Sequence, residues 1–271
     1  ELSPPDRPPV RATVAVAAGG ERRLRVTLPE AGAIEEGFVY VPPGVYRVGG
    51  DRVAPDAEPR REVELGGFAI ARHLVTMAEY GTFLGALPPE EAARRAPRIG
   101  NTPYWRPVDG AYRAPFIDPD GDEIGPDWPV CMVSAADADV YVAWLRETRG
   151  RPFRLPTSDE WEVAASGGDG RIFPWGNGFD PSLCRNLASA PRPGPCPVGS
   201  YPRDRSPFGV MDVAGLVREH TSTEVDGNRV IRAGAWPAPP VQCRLGRRTL
   251  LPADEAYVTF GFRLAHDVTV V

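Results

Sequence analysis

The sequence predicts an α+β domain with few helices, short strands and much irregular chain. Three observations carry that expectation: three helix starts with reciprocal caps lie before Gly167, no helical period follows it, and 32 Pro and 29 Gly punctuate the chain. Pro fixes φ and Gly supplies positive φ, so this density favours rigid turns over long regular elements. A hydrophobic share of 42% and a charged share of 25% over 271 residues suit one globular core.

Residues 1–9 are proline-rich and polar and read as a linker. In 10–36 two alternating runs flank Gly19-Gly20, a hairpin or accessory strand segment. The main domain, 37–267, opens with strand patches at Phe38, Tyr40, Val45 and Val48 around Pro42-Pro43-Gly44. Thr76 with Glu79 is a capping-box pattern, and Tyr80, Phe83, Leu84 and Leu87 follow at helical spacing. Ser134 with Asp137 starts a second helix carrying Val140, Tyr141, Trp144 and Leu145. Thr157 with Glu160 starts a third that includes Trp161. From Gly167 to Leu264, short β-like pieces alternate with Gly, Pro, Asn and Asp turns.

The net charge is -5, every cation other than the three histidines is Arg, and the arginines are dispersed. That argues against a phosphate-tracking surface, so nucleic acid is not an expected partner. The all-Arg composition looks like the coding bias of a GC-rich bacterium. No apolar run reaches membrane-spanning length and no signal peptide is visible, so we expect no membrane contact in this stretch and a cytoplasmic location. A start at Glu1 suggests a fragment of a longer protein.

Five segments in order carry a resemblance to a known family: GFVYVPPGVYRVGG, FAIARHLVTMAEYGTFL, WPVCMVSAADADVYVAWL, RLPTSDEWEVAASGG with FPWGN, and RVIRAGAW with CRLGRR and FGFRLA. Spanning about 37 to 265, they resemble the formylglycine-generating (sulfatase-modifying-factor) family. The resemblance implies its elaborated C-type-lectin fold. Arg154, Glu160 and Trp161 read as structural, an Arg–carboxylate pair beside a buried indole. Trp175 reads as core as well.

The sequence also departs from the family. Members that oxidise a substrate cysteine bind copper through two cysteines five residues apart, after a segment that here reads Ala233-Gly234-Ala235-Trp236. Cys243 matches the second, whereas Ala238 stands where the first belongs. One sulfur cannot form a dithiolate, so Cys243 reads as a small buried hydrophobe, and no cofactor is expected. Leu216 replaces an asparagine that helps hold calcium in relatives, which leaves Asn186 and Glu219 as weak calcium candidates.

Cys184 and Cys196 flank one Pro/Gly-rich loop and either form a disulfide or remain thiols. Asp118, Asp120 and Asp122 begin like a calcium loop, but Glu123 and Pro129 break the pattern, which leaves a hairpin tip. Iron-dependent relatives carry a histidine triad in a separate helical domain. Here His73, His220 and His266 lack the i, i+4 spacing of a ligand pair.

These readings point to a non-catalytic ligand- or protein-binding or regulatory module of a larger bacterial signalling protein, similar to modules attached to serine/threonine kinases. Its expected surface, displayed in the C-terminal loops, is Trp236, Gln242, Arg244, Arg247, Arg248, Tyr257 and Thr259. Arg244 and Arg248 bracing their own loop is an equal alternative. Two other functions remain open: a ligand-display protein of a diversity-generating retroelement, variable over 237–260, and a metal-dependent oxidase of copper or mononuclear-iron type.

Overall fold

The structure is a computed structural model that describes residues 10–12 and 26–268. The expected linker 1–9 and the Gly19-Gly20 turn lie outside the described residues. Val10, Val26 and Leu28 pack beside Tyr40, Ala69 and Val268.

All three anticipated helices form behind complete capping boxes: α1, Met77–Ala86, on Thr76; α3, Ala135–Arg149, on Ser134; and α4, Ser158–Ser166, on Thr157. Gly150 and Gly167 end α3 and α4 in the left-handed region, as a residue without Cβ allows. A further helix, α2, spans Pro89–Arg95 and was not anticipated. It buries only Ala92, so it has no apolar period. Its signals are Pro89 at the first turn, Glu90 and Glu91 near the N-terminus, and Arg94 and Arg95 at the C-terminus.

Two four-stranded sheets organise the rest. The first runs Phe38–Val41, Phe68–Ala71, Ala265–Asp267, Phe153–Arg154, all antiparallel, so the C-terminal strand lies between early and middle chain. The second runs Thr249–Leu251, Asn228–Arg232, Arg218–Val225, Phe260–Phe262, with the last pair parallel. Tyr80, Phe83, Tyr141 and Phe262 form an aromatic cluster between α1, α3 and the second sheet, with Tyr80 and Tyr141 stacked at 5.7 Å. This is the mixed α+β architecture that the caps and turns predicted.

Arg154 grips Glu160 through two 2.7 Å hydrogen bonds and also reaches Asp267. The guanidinium lying on the buried Trp161 ring is a different one, Arg232, at 5.3 Å, and it pairs with Glu162. The Asn228–Arg232 strand, brought against α4 by the fold, supplies it. Trp175 is half-buried, stacked on Phe173 at 5.3 Å with its indole N–H donating to the Gly178 carbonyl.

Candidate functional site

Three stretches of irregular chain meet around Trp236, held by backbone hydrogen bonds. Trp236 donates to the Leu216 carbonyl, Leu216 to Arg185, Gly234 to Ala214, and Leu187 to Ala238. Asp204 fixes the middle stretch by accepting from the N–H groups of Val213, Ala214 and Gly215. Burial, with Asp212 adding to it, pushes its carboxyl up to about 8. Gly234 is dictated by proximity: a Cβ there would stand 2.5 Å from the Ala214 carbonyl oxygen and 3.0 Å from the Cys243 Cα. Leu216, at the asparagine position, sits at φ 68°, a left-handed conformation that is costly for its side chain.

Behind this frame lies a contact that no sequence spacing announced. Cys184 and Cys243 are both 0% exposed and hydrogen-bonded to each other, in an apolar pocket with Phe173, Ala214 and Ala238. The hydrogen bond to Cys243, then burial, raises the Cys184 thiol well above its ordinary range. The expectation that Cys243 stands alone is therefore corrected: a second sulfur reaches it from the 181–184 turn. All four cysteines are free thiols, and Cys184 turns toward Cys243 rather than Cys196.

Two guanidiniums lie within electrostatic reach of Cys243. Arg218 donates to Gln242 at 2.7 Å and lies over Phe260. Arg247 is buried and donates to the Ala233 carbonyl, and burial, with Arg218 adding to it, lowers it to about 10. Among the described residues neither is in a contact-distance ion pair, and the Asp56 carboxylate acts on Arg247 from farther off.

In front of the frame opens a cleft of about 420 Å³, walled by Tyr104, Trp128 and Trp236 and by Asp118, Asp120, Asp122 and Glu123. The acidic run forms a hairpin tip between the strands Phe116–Ile117 and Glu123–Ile124. Asp118 is occupied by Tyr104 and by the Asp120 and Asp122 N–H groups, and Asp122 pairs with Arg192. Asp120 and Glu123 make no such side-chain contact among the described residues. At Ile99 and Val258 this cleft meets a second, of about 690 Å³, lined by Arg98, Asn101, Asp254, Glu255 and Tyr257.

The expected surface residues divide between these places. Trp236 walls the cleft and Tyr257 stands exposed in the second one. Thr259 gives its carbonyl to the Arg218 N–H. Arg244 is clamped on Asp51 by two 2.7 Å bonds, and Arg248 holds Glu58 and the Asp56 carbonyl. These arginines fasten the C-terminal loops to residues 51–58. Glu219, a calcium candidate, is wholly buried with both oxygens on Arg263, and the Asn186 amide is spent on neighbouring backbone and Cys184. His220 is buried with Nε2 on the Val133 carbonyl, and burial lowers it to about 4. Among the described residues no group of three or more His, Cys, Asp or Glu is placed to hold a metal ion, and no helix is long and apolar enough to cross a membrane.

Comparison with known proteins matches residues 26–268 to the family model "Sulfatase-modifying factor enzyme 1-like domain". Inactive C-alpha-formylglycine-generating enzyme 2 of Bos taurus is 30% identical over 272 residues, covering 84% of this chain and 87% of that protein. Hercynine oxygenase of Mycolicibacterium smegmatis is 30% identical over 278 residues, covering 85% of this chain but only 61% of that longer protein. The solved structure of PvdO from Pseudomonas aeruginosa shares the fold, with a TM-score of 0.66 at 24% identity, over 85% of this chain and 94% of that one.

Proposed function

This chain belongs to the sulfatase-modifying factor enzyme 1-like family, and from that premise we propose that it works as a binding module for an extended polypeptide segment carrying a basic side chain. The observation that carries the reading is the continuous groove formed where the two clefts meet. Its middle is apolar and exposed, at Ile99 and Val258. At one end Asp120 and Glu123 face the aromatic walls Trp128 and Trp236; Asp254 and Glu255 lie at the other. Carboxylates beside aromatic faces suit a guanidinium or ammonium group, which gains from charge and ring together.

The experiment is fluorescence polarisation with three labelled peptides of equal length, carrying one Arg, one Ser or one Glu at a central position. The Arg peptide is expected to bind saturably and the Glu peptide to fail, with binding lost in the Asp120→Asn, Glu123→Gln double variant. Equal binding of the Arg and Glu peptides, or none by any of the three, would refute the reading.

A further inference from the structure

Tyr104 and Asp118, joined by a 2.7 Å hydrogen bond, form a wall that the groove shares with a further cavity of about 720 Å³, in the excursion between α2 and α3. We infer that this cavity docks a phosphorylated side chain of another polypeptide, held by Arg106 and Arg113 together. The site has the opposite charge to the groove and does not rest on that reading.

The backbone brings the two arginines together. Val108 and Ala111 exchange hydrogen bonds of 2.9 and 3.0 Å across a two-residue turn. Asp109 and Gly110, at φ 51° and 76°, supply the pair of left-handed residues that such a tight turn needs. Counting two positions outward along each arm puts Arg106 opposite Arg113, on the side that also carries Val108. The ladder itself stops at the Val108–Ala111 pair, yet both arginines line the same cavity. Among the described residues neither donates a hydrogen bond or forms an ion pair.

Like charges at opposed positions repel, so the arrangement carries a cost that a bound anion removes. The carboxylates nearby do not remove it. Asp109 stands at the tip of the turn, and Asp118 lends its oxygens to Tyr104 and to the Asp120 and Asp122 N–H groups; neither pairs with an arginine. A guanidinium fork matches carboxylate and phosphate alike. Two forks at one place exceed what a single carboxylate can accept, whereas a phosphate has three oxygens and close to two charges for them to share. Asp109 and Asp118 would repel the further charges of a polyanion such as nucleic acid. The rest of the lining favours a ligand with apolar parts: Val108 and Ile117 are 69% and 64% exposed, beside Phe116. Free phosphate has nothing to place against them, and the residues flanking a phosphorylated Ser or Thr do.

The test is fluorescence polarisation with three labelled peptides of equal length, carrying a central phosphoserine, Ser or Glu between leucines. The phosphoserine peptide is expected to bind saturably, and the Ser and Glu peptides more weakly by about 10-fold or more, the scale of losing one hydrogen bond to a charged group. Arg106→Gln and Arg113→Gln should each weaken the phosphoserine peptide by about 10-fold, and the double variant should abolish its binding. Unlabelled phosphoserine peptide should displace the probe at lower concentration than inorganic phosphate does. The Val108→Ser, Ile117→Ser variant should narrow that gap.

Since neither arginine has a partner to lose, both Gln variants should keep the urea midpoint of wild type or exceed it. A lowered midpoint would mean that the arginines serve the fold, and it overturns the inference. So do equal binding of the phosphoserine and Ser peptides, binding of none of the three, wild-type affinity in the double variant, or displacement by inorganic phosphate as effective as by the phosphopeptide, which would leave a site for free phosphate alone. The Asp120→Asn, Glu123→Gln variant should bind the phosphoserine peptide at least as tightly as wild type; loss there would place the peptide in the groove and overturn the assignment. The two sites can therefore fail separately.

Discussion

Replacing Glu219 by Gln should cost this fold about 3–5 kcal/mol, because it strands a charge at the centre of the molecule. Glu219 and Arg263 are each 0% exposed and joined by bonds of 2.5 and 2.7 Å. The remaining Arg263 N–H groups donate to the carbonyls of Ala71, Arg72 and Met211, so one guanidinium ties two further stretches of chain to the strand of Glu219. With Gln at 219 the guanidinium keeps its carbonyls but loses its counter-ion, and a buried cation without one bears the full desolvation cost. At an m-value of about 3 kcal/mol/M in urea, the unfolding midpoint should fall by about 1 M or more. Arg263→Met should cost at least as much, since it leaves the carboxylate unpaired and the carbonyls of Ala71 and Met211 short of a donor. The double variant carries no buried charge, so its cost should fall below the sum of the two singles by about 2 kcal/mol or more. Urea unfolding at neutral pH, followed by circular dichroism, measures all three. A Glu219→Gln cost below about 1 kcal/mol, or additivity of the singles within about 0.5 kcal/mol, would refute the argument that this pair acts as one unit.

Two further outcomes are expected. His220 titrates near 6.5 when unfolded but at about 4 in the fold. Between those values the unfolded chain binds a proton that the native chain refuses, so the stability is fully present above about 6.5 and is lost as pH falls through about 4. At 1.36 kcal/mol per unit the loss approaches about 3 kcal/mol. His220→Gln should flatten that window in urea titrations taken at several pH values; an unchanged acid limb would count against the buried neutral imidazole. Gly234→Ala should cost about 1–3 kcal/mol or more, because its Cβ would meet three backbone groups within 3.0 Å. Gly178→Ala, which meets nothing within 4 Å, should be near neutral by comparison.

What the sequence made legible was mostly local. A capping box is written within four residues, and all three were realised at the positions read for them. Helix α2 escaped because seven residues with one buried position leave no apolar period, only a charge gradient. The family frame was legible because its segments keep their order. The partner of Cys243 was not, because Cys184 reaches it through irregular chain whose path no periodicity encodes. The roles of Arg244 and Arg248 stayed open for the same reason: Asp51 and Glu58 lie 193 and 190 residues away.

The arginines explain how so much irregular chain is held. A sheet satisfies its backbone through ladders, whereas loops must find other partners for their carbonyls. Arg263 serves the carbonyls of residues 71, 72 and 211, Arg185 those of 192 and 194, and Arg247 that of 233. A planar fork with five donors can bind a carboxylate on one side and carbonyls on the other, which a lysine ammonium cannot match. Arg263 and Arg185 thus do for the loops what ladder bonds do for strands.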